Sequence, residues 1–240
     1  DKKNQFLLKN YFNFIIFFLS LISFYKILIF RFENWKIALI GTFFLFLTPR
    51  IFANSFYNNV DIIFMSFVIF SLHSGFSYLK EQKLLNIFIL AIFISISISV
   101  RIMGIILPAI FIFIFILQYR FKSDIRKIFS EIFLFIFLVC FFTILFWPSL
   151  WSSPIENFLY TFDKISNYTD LKSSTLYFGE SIKVTEVPWS YALTWILITV
   201  PIQYLVLFLI GFSVTFFKIL NIFKFNNTFK FVDTVNFLLI

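Results

Sequence analysis

Of 240 residues, 60% are hydrophobic, 13% are charged and 42 are phenylalanine. A water-soluble domain averages about a quarter charged, so this composition argues against an ordinary soluble enzyme and for a chain whose solvent is lipid. The net charge of +8 is scattered among apolar runs, so a nucleic-acid surface is a weaker reading of it than membrane topology, and no nucleic-acid partner is expected.

Taken in chain order, the apolar runs predict about seven membrane spans. The first covers residues 11–30. The second, 36–48, is short and stops at Pro49. The third covers 62–79. The run 84–118 carries Arg101 as its only charge. As one helix it would be roughly 52 Å long, against a hydrocarbon core of about 30 Å. It is therefore read as a fourth and a fifth span that meet near Arg101, with Gly104 and Pro108 favouring the break. The sixth span covers 128–147. A more polar loop, 148–187, follows, and the seventh span covers 190–217. Residues 237–240 open another apolar stretch. The expected fold is all-α, a polytopic transmembrane helical bundle. Residues 1–240 form a fragment of one transmembrane domain, an expectation that rests on the start at Asp1 and on Met65 and Met103 being the only methionines. No signal-peptide pattern is visible. Cys140 is the single cysteine, so no internal disulfide can form.

Positive charge orients these spans. With the N-terminus outside the cytoplasm, the inner connections collect Lys26, Arg31 and Lys36, then Lys80 and Lys83, then Arg120, Lys122, Arg126 and Lys127, then Lys218, Lys224 and Lys230. The outer connections hold Arg50, Arg101, Lys164, Lys172 and Lys183. Lys2, Lys3 and Lys9 count against this orientation.

On that topology the unusual polar residues gather on the outer side. They include Arg50, Asn59 and Asp61 before the third span, and Arg101 at the fourth-to-fifth turn. The outer loop adds Glu156, Asp163, Asp170, Glu180 and Glu186. Ionisable groups near membrane depth are functional candidates because they are costly there. Each also has a plainer role. Asp61 and Asn59 precede a helix and can cap it. Arg101 can snorkel to the interface, and Arg50 can meet lipid phosphate. Trp147, Trp151 and Trp189 suit an aromatic belt. His73, with no second histidine, reads as a packed residue, and without a Cys/His cluster no metal site is indicated. In the outer loop Ser153-Pro-Ile-Glu156 is a helix-start pattern. Ile155, Phe158, Leu159, Phe162 and Ile165 follow at helical spacing, which predicts a short amphipathic helix on the membrane surface.

Several of these segments carry a resemblance. Thr48-Pro-Arg-Ile-Phe and Asn58-Asn-Val-Asp61, Ser97 through Gly104, Phe146-Trp-Pro-Ser-Leu-Trp151 through Pro154, and Tyr177-Phe-Gly-Glu180 with Pro188-Trp-Ser-Tyr191 and Thr199-Val-Pro201 stand in order over residues 30–212. Together they resemble bacterial membrane glycosyltransferases of family 39, related to the dolichyl-phosphate-mannose–protein mannosyltransferases. The resemblance implies the C-type glycosyltransferase fold in a bacterial inner membrane, with its active face toward the periplasm or exterior. It implies a polyprenyl-phosphate sugar as donor, a protein, lipid or glycan as acceptor, membrane lipid as surroundings, and neither cofactor nor divalent metal. Asp61 would be the assisting acid, and Arg50, Asn59, Arg101, Glu180, Trp189 and Tyr191 would bind substrate. The family's main catalytic acid lies in the first outer loop, which this chain is expected to lack. A carboxylate to take the acceptor proton and cations to hold the leaving phosphate are the groups such chemistry needs. The rival class is a transporter or flippase for a lipid-linked or anionic solute, where internal repeats are common; none is visible here. A non-catalytic assembly subunit is a third reading.

Overall fold

The computed structural model describes residues 2–119, 125–166 and 174–225. Arg120, Lys122, Asp170, Lys172, Lys230 and residues 237–240 lie outside the described residues. The chain divides into two compact units, Asp1–Phe158 and Leu159–Ile240.

The first unit is built from α1 (Lys2–Phe32), α2 (Trp35–Leu47), α3 (Pro49–Asn54), α4 (Asp61–Lys80), α5 (Leu84–Val100), α6 (Ile106–Tyr119) and α7 (Ile125–Phe146). Helix α8 (Pro154–Ser166) starts in this unit and ends beyond its boundary. Helix α1 runs from Lys2, ahead of the span expected over 11–30. Glu33, in the left-handed region at φ 51, turns the chain after α1. Asn34 then caps α2, its Oδ1 accepting from the Lys36 N–H at 2.9 Å. Pro49 is read correctly as a stop to α2, and it also opens α3 at the first-turn position where its missing N–H is harmless.

Helix α4 packs against α1 and α5, and α5 packs against α7. Phe17, Leu21 and Ile62 form the α1–α4 core. On α5, Ile87, Leu90, Ala91 and Ile94 are fully buried, which matches a helix covered on one face by two neighbours. Polar ties cross this packing as well. The Ser95 hydroxyl donates to the Val139 carbonyl at 3.0 Å, and the Tyr78 hydroxyl donates to Glu131 Oε2 at 2.5 Å.

Among the described residues three helices are long and apolar enough to cross a membrane: Lys3–Phe32, Asp61–Lys80 and Phe129–Phe146. Counting the bent pair Tyr191–Thr199 and Ile202–Phe217 as one crossing adds a fourth. Helices α2 and α5 are apolar but shorter. Helix α7 shows how such a surface looks: Phe135 is fully buried while Phe133, two residues before it, is 75% exposed. A helix apolar on both faces belongs in a large core or in lipid.

The predicted break near Arg101 is present. Helix α5 ends at Val100, Arg101 is extended, and a 3-10 turn over Ile102–Ile105 leads into α6. Gly104 allows this turn to lie against the end of α5. A Cβ there would sit 2.8 Å from the backbone of both Ser97 and Ile98.

In the second unit, β1 (Ser174–Tyr177) and β2 (Glu180–Lys183) form an antiparallel hairpin that the sequence reading did not include. Its tip, Phe178-Gly179, has φ of 50 and 89, the two positive values that a tight two-residue hairpin turn requires. The span expected over 190–217 is bent: helix α9 (Tyr191–Thr199) and helix α10 (Ile202–Phe225) meet at an angle of 114°. Pro201 accounts for the difference: it has no N–H to continue the ladder, and it holds Val200 extended at ψ 127. The expected amphipathic helix is α8, with Pro154 as its first residue and Ile155 and Leu159 exposed.

Gly104→Ala should therefore destabilise the protein by about 1–3 kcal/mol, the usual range for an overpacked site. Thermal unfolding in detergent measures it, and an unchanged melting temperature would show that the turn has room to spare.

Candidate functional site

Helix α4 begins where the α3–α4 connection is pinned by its own side chains. Asn58 Oδ1 accepts from the Asp61 N–H at 2.9 Å and the Val60 N–H at 3.2 Å. These are two of the donors that the start of a helix leaves without partners. The backbone donors that Asp61 and Asn59 were expected to cap are met instead by Asn58, which stands two residues before Val60 at the N-cap position and reaches forward to them. Asp61 is itself the first helical residue.

That arrangement frees the Asp61 carboxylate to point elsewhere. Oδ2 accepts from Asn58 Nδ2 at 2.9 Å, and Oδ1 forms an ion pair with the Arg101 guanidinium. Arg101 stands just past α5. Its N–H donates to the Ser97 carbonyl at 2.9 Å, and its carbonyl accepts from the Gly104 N–H at 2.8 Å. The side chains of Arg101 and Asp61 are 45% and 53% exposed. An exposed pair of this kind contributes about 0–1 kcal/mol to stability. The arrangement places an acid and a cation side by side at the surface, where both can be reached. Arg101 carries five N–H donors in all, so the pair to Asp61 leaves others free for a phosphate.

Asn59 sits in the same connection, with its Oδ1 buried and without a donor. Two further amides share this condition on α1: Asn10 Oδ1 and Asn13 Oδ1 are also buried and unpaired. Asn13 is 2% exposed, and its Nδ2 donates to the Ser55 carbonyl at 2.7 Å. The neighbouring Phe14 ring stacks on Phe56, with centroids 5.0 Å apart. These contacts hold α1 against the connection that carries Asn58, Asn59 and Asp61. Asn10 and Asn13 were missed in the sequence reading. The available signal was two polar amides three residues apart on one face of an otherwise apolar run, a placement that is costly in a membrane helix.

Of the other residues expected at a site in the first unit, Arg50 is exposed on α3. Trp151 donates from Nε1 to the Ile144 carbonyl at 2.9 Å, and Trp147 meets Phe158 edge-on. These contacts tie down the end of α7. His73 is half-buried beside Phe67, Phe70 and Phe93 in an open groove between α1, α4 and α5. Among the described residues no three His, Cys, Asp or Glu side chains gather as a metal site would need.

Glu180, Trp189 and Tyr191 belong to the second unit. Glu180 opens β2 and is exposed opposite Tyr177. The Tyr191 hydroxyl lies 2.9 Å from the Thr175 hydroxyl, and its ring tilts against those of Tyr177 and Trp195. The Tyr177 hydroxyl lies 2.9 Å from that of Ser190 and 3.3 Å from that of Thr194. Hydrogen bonds from Ser190 and Thr194 hold the Tyr177 phenol below its ordinary pKa. Tyr191 therefore braces the hairpin on α9. Trp189 is 86% exposed.

Compared with known proteins, the chain matches no protein-family model, no curated protein and no solved structure.

The division of labour between Asn58 and Asp61 has a direct test. Asn58→Ala should cost about 1 kcal/mol, the usual value of a lost cap. Asp61→Asn should cost less, since it keeps the cap and removes only a surface ion pair. Thermal melts of both variants in one detergent decide it; the reverse ranking would return the cap to Asp61.

Proposed function

We propose that this protein is a membrane glycosyltransferase that moves a sugar from a polyprenyl-phosphate donor to a hydroxyl acceptor at the non-cytoplasmic face of a bacterial inner membrane. The observation that carries the reading is the Asp61–Arg101 ion pair. Asp61 and Arg101 come from different segments of the resemblance to family 39, and they meet at one end of the α4–α5 pair. The reading extends to a bundle of about seven crossings with the C-type glycosyltransferase architecture, in which the shorter α2, α5 and α6 cross as well. The apolar outer faces of α1 and α7 suit a hydrocarbon surrounding.

These groups supply two of the functions the reaction needs, an assisting proton acceptor and a cation for the phosphate. The acceptor oxygen attacks the anomeric carbon, the bond from that carbon to the phosphate oxygen breaks, and polyprenyl phosphate leaves with the electron pair. Arg101 holds the phosphate and stabilises the charge that develops on it. Asp61 assists by accepting the proton that the acceptor hydroxyl loses. Arg50 adds positive charge for the donor phosphate. Glu180, Trp189 and Tyr191 serve substrate binding, the Trp and Tyr rings offering apolar faces to a sugar or a prenyl chain.

Asp61→Asn should fold and insert normally yet lose about 10²–10⁴-fold in transfer rate. Arg101→Lys should weaken donor binding, because Lys keeps the charge but not the planar fork. Transfer from a polyprenyl-phosphate sugar and thermal stability are measured on the same membrane preparation. Full transfer in well-folded Asp61→Asn would reduce Asp61 to a counter-ion of Arg101.

Sidedness has its own test. The distribution of Lys and Arg puts residues 148–187 outside the cytoplasm. A cysteine introduced at the exposed Ser181, in a Cys140→Ser background, should react with an impermeant thiol reagent in intact cells. Labelling only after lysis would invert the orientation.

A further inference from the structure

The open groove between α1, α4 and α5 changes character along its length. Its volume is about 570 Å³, within the range of sites that take small molecules. Toward the middle of α4 the lining is aromatic: the Phe70 and Phe93 rings lie 5.2 Å apart, and Phe67 lies 5.5 Å from Phe70 and 6.0 Å from Phe93. Toward the α4–α5 turn it becomes polar, with His73, Ser74, Ser77 and Asn86. Asn86 is fixed there by donating from Nδ2 to the Ser77 and Glu81 carbonyls, at 3.3 and 2.8 Å. Helix α1 runs the same way as α4, since Phe17 packs with Ile62 and Phe30 stacks on Phe76. Ser23 of the α1 wall therefore falls at the polar end as well. Lys26, one turn past Ile22 of that wall, is exposed and close enough for its charge to act on the His73 ring. Lys80, three residues beyond Ser77, is a second exposed cation at this end, and Glu81 in the turn is engaged with Lys83 at 2.7 Å.

A groove that is aromatic at one end and polar and cationic at the other fits a ligand with an apolar tail and an anionic head. A free phosphate would leave the aromatic end uncovered. An apolar helix laid in the groove would cover that end but would bury the Lys26 charge without a counter-charge, a costly state. Helices α1 and α4 are long and apolar enough to cross a membrane, and Leu19 and Ile22 on the groove wall are exposed, so in a bilayer the groove opens sideways onto lipid. We propose that it holds one anionic phospholipid, with the phosphate at Lys26 and His73 and an acyl chain along the Phe67–Phe70–Phe93 cluster. The imidazole offers an N–H donor in either tautomer, and basic pockets between transmembrane helices suit anionic head groups. The head group sits toward the end of α4 away from Asp61. The proposal rests on α1 and α4 crossing a bilayer and does not depend on glycosyl transfer.

Lipid binding to the full chain in detergent is read by native mass spectrometry, with phosphatidylglycerol and phosphatidylcholine of the same acyl chains titrated in parallel. Phosphatidylglycerol should add as one saturable adduct and bind more tightly than phosphatidylcholine, by about fivefold for each basic side chain that meets its head group. Lys26→Gln, at an exposed position, should remove about fivefold of that preference and leave phosphatidylcholine unchanged. Ile22→Trp adds bulk on the groove wall, also at an exposed position, and should weaken both lipids. Lys9→Gln, near the opposite end of α1, should change neither. Equal binding of the two lipids, or a preference that survives Lys26→Gln, would overturn the site. A loss as large in Lys9→Gln would overturn it too, leaving only the diffuse attraction of a basic chain for anionic lipid. Unchanged binding in Ile22→Trp would place the lipid outside the groove, and a homodimer that Ile22→Trp dissociates would make a second copy the occupant; either result rejects the proposal.

Discussion

Helix α5 must stop where it does for the site to exist. Arg101 closes the backbone bond to Ser97 and then leaves helical geometry. The chain can turn over the helix end only because Gly104 presents no side chain to the Ser97 and Ile98 backbone. A residue with a Cβ would push the 3-10 turn away, and with it the Arg101 backbone. Ile102 and Gly104 are buried in that turn, so the guanidinium leaves from a supported base and reaches outward to Asp61.

The partner arrives by the geometry of an antiparallel helix pair. Asp61 and Arg101 each lie twenty residues from Glu81, in the short turn that joins α4 to α5. Both helices rise by the same amount per residue, so equal chain lengths bring their far ends level. The buried face of α5, from Ile87 to Ile98, then fixes their relative height. Asn58 completes the arrangement by taking the cap, which leaves both Asp61 carboxylate oxygens for side-chain donors.

Stability does not explain the pair. It is too exposed to contribute much, while the buried amide oxygens of Asn10, Asn13 and Asn59 lack donors, a state that costs free energy. Apolar residues at Asn10 and Asn13 would suit an apolar helix better. Groups kept against the preference of their surroundings are where function is found most often in membrane helices. The second unit shows a related tension at the hairpin tip, where the bulky Phe178 is held at φ 50 and 80% exposed. Residues of that kind rarely adopt this conformation.

Much was legible in the sequence because apolar run length and breaking residues act locally. Hydrophobic runs located α4, α7 and the division of 84–118, Pro49 and Arg101 marked real helix ends, and Ser153-Pro154 marked the start of α8. Pro201 carried the same kind of local signal, yet the run 190–217 was read through it, since apolar length alone cannot distinguish a straight span from a bent pair. The candidate site was legible only as separate residues. Sequence spacing named Asp61 and Arg101 but could not make them partners, and it gave Asp61 the cap that Asn58 provides. It passed over Asn10 and Asn13, whose importance depends on what faces them across α1. Helix ends follow from bonds within a few residues, which a sequence determines by itself. An ion pair between residues 61 and 101, or a buried oxygen left without a donor, depends on the packing of one helix on another, and only the tertiary structure decides that.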